Sequence, residues 1–118
     1  MAGLTFSLIC IMSRPDTERL LLDKQDYVQA SEKLWGATAQ IIKAVALKRG
    51  KKLRSHEAII KYADKLSEEL NDKSILVHFS VANSLHQNFY ENWLSPKMVI
   101  QDAKIVEKLI KKLRPLAD

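Results

Sequence analysis

The chain has 118 residues, of which 47% are hydrophobic and 28% charged, with a net charge of +5 and a single cysteine, Cys10. This composition is typical of one soluble globular domain with its own core. One cysteine excludes an internal disulfide, and no Cys/His cluster has the spacing of a zinc site. We therefore expect a cytoplasmic protein without a metal or a cofactor. The positive charge alone says little about its partner.

The first 13 residues differ from the rest of the chain because they are uncharged and mostly apolar. No basic residue precedes the apolar run, so this segment does not have the pattern of a secretory signal. Its apolar residues fit either a strand or a helix face. A further alternative is that Met12 is the natural start. Residues 1–13 are thus interpreted as an atypical segment or upstream extension, and residues 14–118 as a single helical domain.

The domain begins with a short helix, predicted over residues 15–22. Asp26 then has Gln29 three residues later, a capping-box pattern that opens a long helix over residues 27–49. The apolar residues of this long helix fall in two rows, which predicts a central helix packed on two sides. Gly50 follows as a natural C-terminal cap.

Three more helices follow. Ser55 caps the third, the fourth ends near Trp93, and the Ser95-Pro96 pair opens the fifth, whose end Pro115 marks. Because the connections are short, the helices are expected to run mostly antiparallel. The fold class predicted is all-α: an up-and-down bundle of four to five antiparallel helices.

The densest positive charge lies between the second and third helices, at Lys48, Arg49, Lys51, Lys52 and Arg54. Five cations in seven residues can neutralise several phosphates, so we assign them as candidate nucleic-acid-binding residues. The structural alternative is that cations complement the dipole at a helix C-terminus. That effect requires only one or two of the five.

The fourth helix carries a polar face that contains His86. Asn83 three residues before it and Tyr90 four residues after it lie on the same side. A histidine can act as a general acid or base near neutral pH, so these three residues are the catalytic candidates. The alternative is a structural or interfacial histidine that hydrogen-bonds to its neighbours. The absence of a cationic partner nearby in the sequence favours this alternative.

The other histidines and the two tryptophans are interpreted structurally. His56 and His78 have no metal-ligand neighbours in the sequence. Trp35 is expected in the core, and Trp93 either in the core or as an interface anchor.

Two stretches carry a resemblance to a known family. Residues 26–37 (DYVQASEKLWGA) resemble the second-helix signature of the archaeal PaREP family, and residues 83–91 (NSLHQNFYE) resemble its second signature. The likeness covers residues 16–113 and leaves residues 1–13 outside. That family is similar in fold to the HEPN superfamily of helical nucleotide-binding bundles. The resemblance therefore implies an HEPN-like helical bundle that forms a homodimer.

The catalytic part of the resemblance is incomplete. Active HEPN proteins carry an Arg a few residues before the His, but the residues that precede His86 here are Ser80, Val81 and Ala82. Arg49 and His56 satisfy the spacing, yet they flank a loop between two other helices, so we treat that match as accidental.

The resemblance thus implies a non-catalytic binding module for RNA, a nucleotide or a protein partner. One alternative is a metal-independent, toxin-like ribonuclease that uses His86. Another is an antitoxin-like subunit that covers a partner protein through Trp93.

Overall fold

A computed structural model describes residues 26–118, and these residues form four α-helices. The helices are α1 (Tyr27–Lys48), α2 (His56–Glu69), α3 (Ser74–Glu91) and α4 (Pro96–Ala117). The all-α bundle is therefore confirmed. None of these four helices is both long and apolar enough to cross a membrane. The predictions for residues 1–13, for Met12 as a start and for a helix over residues 15–22 lie outside the described residues.

The predicted capping residues begin and end the helices. Three N-cap side chains accept a hydrogen bond from the backbone N–H three residues later. The oxygen–nitrogen distances are 3.2 Å for Asp26, 3.0 Å for Ser55 and 3.3 Å for Ser95. At the end of α1, Gly50 adopts a φ of +78°, and the Lys51 N–H donates to the Ala46 carbonyl at 2.9 Å. This is the Schellman motif, which glycine favours.

Two helix ends differ from the predictions. Helix α3 ends at Glu91, because Asn92 adopts a left-handed conformation with a φ of +52°. Trp93 therefore lies beyond the helix. Helix α4 continues through Pro115 to Ala117. The fixed φ of proline is itself helical, and the backbone hydrogen bond that Pro115 cannot make lies in the last turns, so the helix continues.

Helix α1 is the central element and contacts the other three helices. Both of its predicted apolar rows are buried from Ala30 onward. On each of the other helices, apolar residues three and four positions apart also form rows that are mostly buried, although Leu70, just after α2, is 37% exposed. The residues of α2, α3 and α4 that complete the core in these rows are Ile59, Ala63, Leu66, Ile75, Phe79, Ala82, Val99, Ala103, Val106, Ile110 and Leu113.

Helices α1 and α2 run in the same general direction. Trp35, in the middle of α1, stacks against His56, the first residue of α2. Arg49, just after α1, pairs with Glu69, the last residue of α2. Residues 49–55 connect the end of α1 to the start of α2, and seven extended residues reach about 24 Å. Helix α2 is about 21 Å long. The connection therefore returns along α2 in nearly extended form. We call residues 51–54 the return segment.

Directions alternate in the rest of the bundle. His56 at the start of α2 lies beside Asn83 in the second half of α3, and Asp72 before α3 binds Lys112 near the end of α4 at 2.7 Å. Lys112 and Ser74 together hold the pKa of Asp72 down to about 2. These contacts make α2 and α3, and α3 and α4, antiparallel pairs, as the short connections predict.

One buried amide links three parts of the fold. Asn88 of α3 is fully buried. Its Nδ2 donates to Ser31 Oγ of α1 at 3.1 Å, and its Oδ1 accepts from the Leu94 N–H at 2.8 Å. The Ser31 hydroxyl in turn donates to the Tyr27 carbonyl at 2.7 Å. Asn88 thus connects α1, α3 and the connection to α4.

Replacing Asn88 with Ala should lower the free energy of unfolding by about 2 kcal/mol, because the Leu94 N–H and the Ser31 hydroxyl lose a buried partner. Urea unfolding followed by circular dichroism measures this difference. Gln87→Ala, on the exposed side of the same turn, is the matched control and should change stability by less than about 0.5 kcal/mol. Equal stability of the two variants would contradict this role of Asn88.

Candidate functional site

A concave surface of about 330 Å³ lies between the return segment and α2. Residues 58, 61, 62 and 65 share one face of α2, and the return segment lies against that face. Four lysines surround the concavity, which we call the lysine groove. Its lining residues are Lys51, Lys52, Leu53, Ala58, Lys61, Tyr62 and Lys65.

A buried aromatic ring supports the lysine groove. Tyr62 is only 4% exposed. The Nζ atoms of Lys51 and Lys65 each lie 5.8 Å from the centroid of its ring, within the range of a cation–π interaction. Leu53 of the return segment packs against the core. One lysine from each side of the groove is therefore positioned over the same fixed ring.

Among residues 26–118, carboxylates neutralise little of the positive charge of the lysine groove. Lys61 pairs with Glu57 at 3.0 Å, but both side chains are 75% exposed, and such a pair contributes little. Within residues 26–118, no carboxylate lies at ion-pair distance from the other three lysines of the groove. An anion that enters the groove therefore meets several cations without displacing a strong protein partner.

The structure separates the five predicted nucleic-acid-binding residues. Lys51 and Lys52 line the lysine groove, whereas Lys48 and Arg54 are exposed outside its lining. The guanidinium of Arg49 binds Glu69, and this hydrogen bond raises the pKa of Arg49. Arg49 thus already has a carboxylate partner at the end of α2, unlike Lys51 and Lys52.

The sequence does not single out Lys61, Lys65 and Tyr62 as site residues. Their spacing indicates one face of α2, which is a weak signal because exposed lysines are common on helices. These residues form a groove only because residues 51–54 return along the same face of α2. The sequence does not show in which direction this connection runs.

Three aromatic rings from three helices form a second cluster. The ring centroids of Trp35, His56 and His86 lie 4.8–5.2 Å apart, and the ring planes are within 28° of parallel. Trp35 is 6% exposed, as expected for a core residue. His56 Nε2 lies 3.1 Å from Asn83 Oδ1. Because that oxygen can only accept, Nε2 carries the hydrogen and Nδ1 is the basic nitrogen of the neutral ring. We call these three rings the ring cluster.

The surroundings of His86 are acidic and aromatic. The distance from its Nδ1 to Glu32 Oε2 is 3.7 Å, which is too long for a hydrogen bond. Both atoms are buried, and neither has a hydrogen-bond partner in the described part of the chain. The Tyr90 ring meets His86 edge-on at 5.5 Å and is 70% exposed. Asn83, His86 and Tyr90 thus lie near one another, with His56 and Glu32 as neighbours that the sequence did not indicate.

The ring cluster does not form a metal site. Among residues 26–118, no group of three or more His, Cys, Asp or Glu side chains is arranged to hold a metal ion. His78 lies two turns before His86 on α3, and burial, with Lys112 and Lys108 nearby, lowers its pKa. His78 is therefore biased toward its neutral form.

A second groove, of about 350 Å³, lies between α2 and α3. Three large apolar side chains and a single lysine contribute to its lining, whereas the lysine groove has four lysines, and we call it the apolar groove. The lining residues are Ile60, Lys61, Asp64, Leu76, Phe79, Ser80 and Asn83. Lys61 lines both grooves, and Asn83 connects the apolar groove to the ring cluster through His56.

Comparison with known proteins identifies the family. A protein from Sulfolobus solfataricus, known from its crystal structure, has the same fold, with a TM-score of 0.80 over 92% of this chain and 97% of that chain. Its sequence identity of 24% supports a likeness of fold alone. No curated protein matches the chain. The model of the archaeal PaREP1/PaREP8 family matches residues 19–110, and the chain therefore belongs to that family.

Proposed function

We propose that this protein is a small, non-catalytic, HEPN-like binding module that holds RNA or a nucleotide through its phosphates in the lysine groove. The observation that carries the proposal is the arrangement of four lysines around buried Tyr62, three of them without a carboxylate partner among the described residues. The volume of about 330 Å³ is at the lower end of the range for small-ligand sites.

Complementing a helix dipole does not explain this arrangement. Lys51 and Lys52 follow the end of α1, where a cation is favourable, but Lys61 and Lys65 lie in the middle of α2, where the dipole effect is small. Like charges around one concavity repel one another weakly in water, and an anion that binds there relieves this repulsion. A phosphate-rich ligand supplies that anion.

Binding of a short single-stranded RNA should weaken steeply with salt. Four phosphate contacts give a slope of log affinity against log salt of about −2.8. The variant Lys51→Gln/Lys65→Gln should reduce the slope to about −1.4 and the affinity by about tenfold, whatever the RNA sequence. Fluorescence anisotropy over a salt series measures both values.

The matched control is Lys104→Gln/Lys111→Gln, which removes the same charge from exposed positions of α4. This variant should keep most of the affinity and of the slope. If both variants lose affinity equally, binding follows net charge alone and the lysine groove is not the site. If the unaltered protein does not bind at low salt, the proposed function is wrong.

Homodimerisation is part of the same proposal. Tyr90 and Trp93 are 70% and 63% exposed, and large exposed aromatic residues are typical of interface anchors. In the alternative of an antitoxin-like subunit, the surface around Tyr90 and Trp93 would bind the partner protein. Light scattering should give twice the chain mass of 13.5 kDa. A mass of one chain would remove the dimer from the proposal and leave the binding site untouched.

The ring cluster favours a second candidate, a metal-independent ribonuclease. Nδ1 of neutral His56 would take the proton of a ribose 2′-hydroxyl, and the 2′-oxygen would attack phosphorus. His86, whose Nδ1 lies 3.7 Å from Glu32 Oε2, would give a proton to the leaving 5′-oxygen as the P–O bond breaks. The products are a 2′,3′-cyclic phosphate and a 5′-hydroxyl. The observation in favour is the ring-centroid distance of 5.2 Å between His56 and His86.

Incubation with end-labelled RNA separates the two candidates. If the protein is a ribonuclease, His56→Gln and His86→Gln should each slow cleavage by about a hundredfold or more, because each removes one proton-transfer group. His78→Gln is the control on α3 and should leave the rate unchanged. Absence of cleavage, or equal cleavage by all variants, rejects the ribonuclease and leaves the binding module.

A further inference from the structure

We infer that the ligand is a single-stranded nucleic acid that crosses α2 over Lys61, with its phosphates in the lysine groove and one base in the apolar groove. This inference rests on the proposed function and deepens it by assigning a base subsite. The observation that carries it is that two grooves of similar volume share Lys61, one of them lined by four lysines and the other by Ile60, Leu76 and Phe79.

Helix geometry separates the two grooves by more than a single phosphate can span. Ile60 and Asp64 lie on one flank of Lys61, and Tyr62 and Lys65 lie on the other. On a helix about 10–12 Å across, these two flanks are roughly 10 Å apart. A single inorganic phosphate cannot occupy both grooves, whereas a strand of a few nucleotides can. The exposed ammonium of Lys61 lies between the two subsites.

The apolar groove has the chemistry to hold a base. Ile60 and Leu76 are 41% and 38% exposed and line the same groove as Phe79, so together these three side chains offer an apolar surface to a ligand. Stacking and apolar contact are available to every base, because each has a flat π-face.

Polar groups at the edge of the groove can pair with the edge of a base. Asn83 uses its Oδ1 to accept from His56, so its Nδ2 is the group that can donate to a base acceptor. The carboxylate of Asp64 can accept from an exocyclic amino group or a ring N–H. One donor and one acceptor beside an apolar wall suit a nucleobase, and they do not suit the acyl chain of a lipid or an acidic side chain.

The test compares two ligands of equal charge, a hexamer of riboadenylate and an abasic ribose-phosphate hexamer. The base subsite predicts that the riboadenylate hexamer binds about tenfold more tightly, with the same salt slope, because stacking adds affinity and no charge. Ile60→Ser/Leu76→Ser should abolish that preference and leave abasic binding unchanged. Val77→Ser, at a 61% exposed position on α3 outside the groove, should keep the preference.

The outcomes distinguish this inference from the function on which it rests. Equal affinity of the two hexamers, with a steep salt slope, would overturn the base subsite and leave phosphate binding in place. A preference that survives Ile60→Ser/Leu76→Ser would also overturn it. If neither hexamer binds, both the proposed function and the base subsite are wrong.

Discussion

The candidate site depends on one constraint, the return of the chain along α2. Helices α1 and α2 run in the same direction, so the connection between them must cover the length of α2 in nearly extended form. The pair of Arg49 with Glu69 marks one end of this path, and the Ser55 cap of α2 marks the other. Between them, Leu53 packs on the core and places Lys51 and Lys52 opposite the lysines of α2.

This path brings three features to α2 and its two neighbours. The lysine groove lies on one flank of the helix and the apolar groove on the other, with Lys61 between them. The ring cluster lies where α2 begins, and Asn83 joins it to the apolar groove. The core residues on the inner face of α2 hold the helix against α1 and α3, and the exposed residues on its outer face are accessible to a ligand.

The sequence predicts the helices well, because caps such as Asp26, Ser55 and Ser95 and the apolar rows are local signals. It does not predict the lysine groove, because periodicity contains no information on whether seven residues fold back tightly or run along the next helix. For the same reason the sequence does not indicate that His56 lies beside His86, which is 30 residues later in the chain. Asn92 and Pro115 show that single residues move helix ends by a turn or less.

Protection of lysines from acetylation tests the central claim most directly. The full chain is treated with an acetylating reagent with and without the riboadenylate hexamer at low salt, and each lysine is quantified by mass spectrometry. Binding in the lysine groove predicts that Lys51, Lys52, Lys61 and Lys65 are protected, while Lys104 and Lys111 on α4 react as before. Equal protection of all lysines, or protection confined to α4, would contradict the assignment of the lysine groove as the binding site.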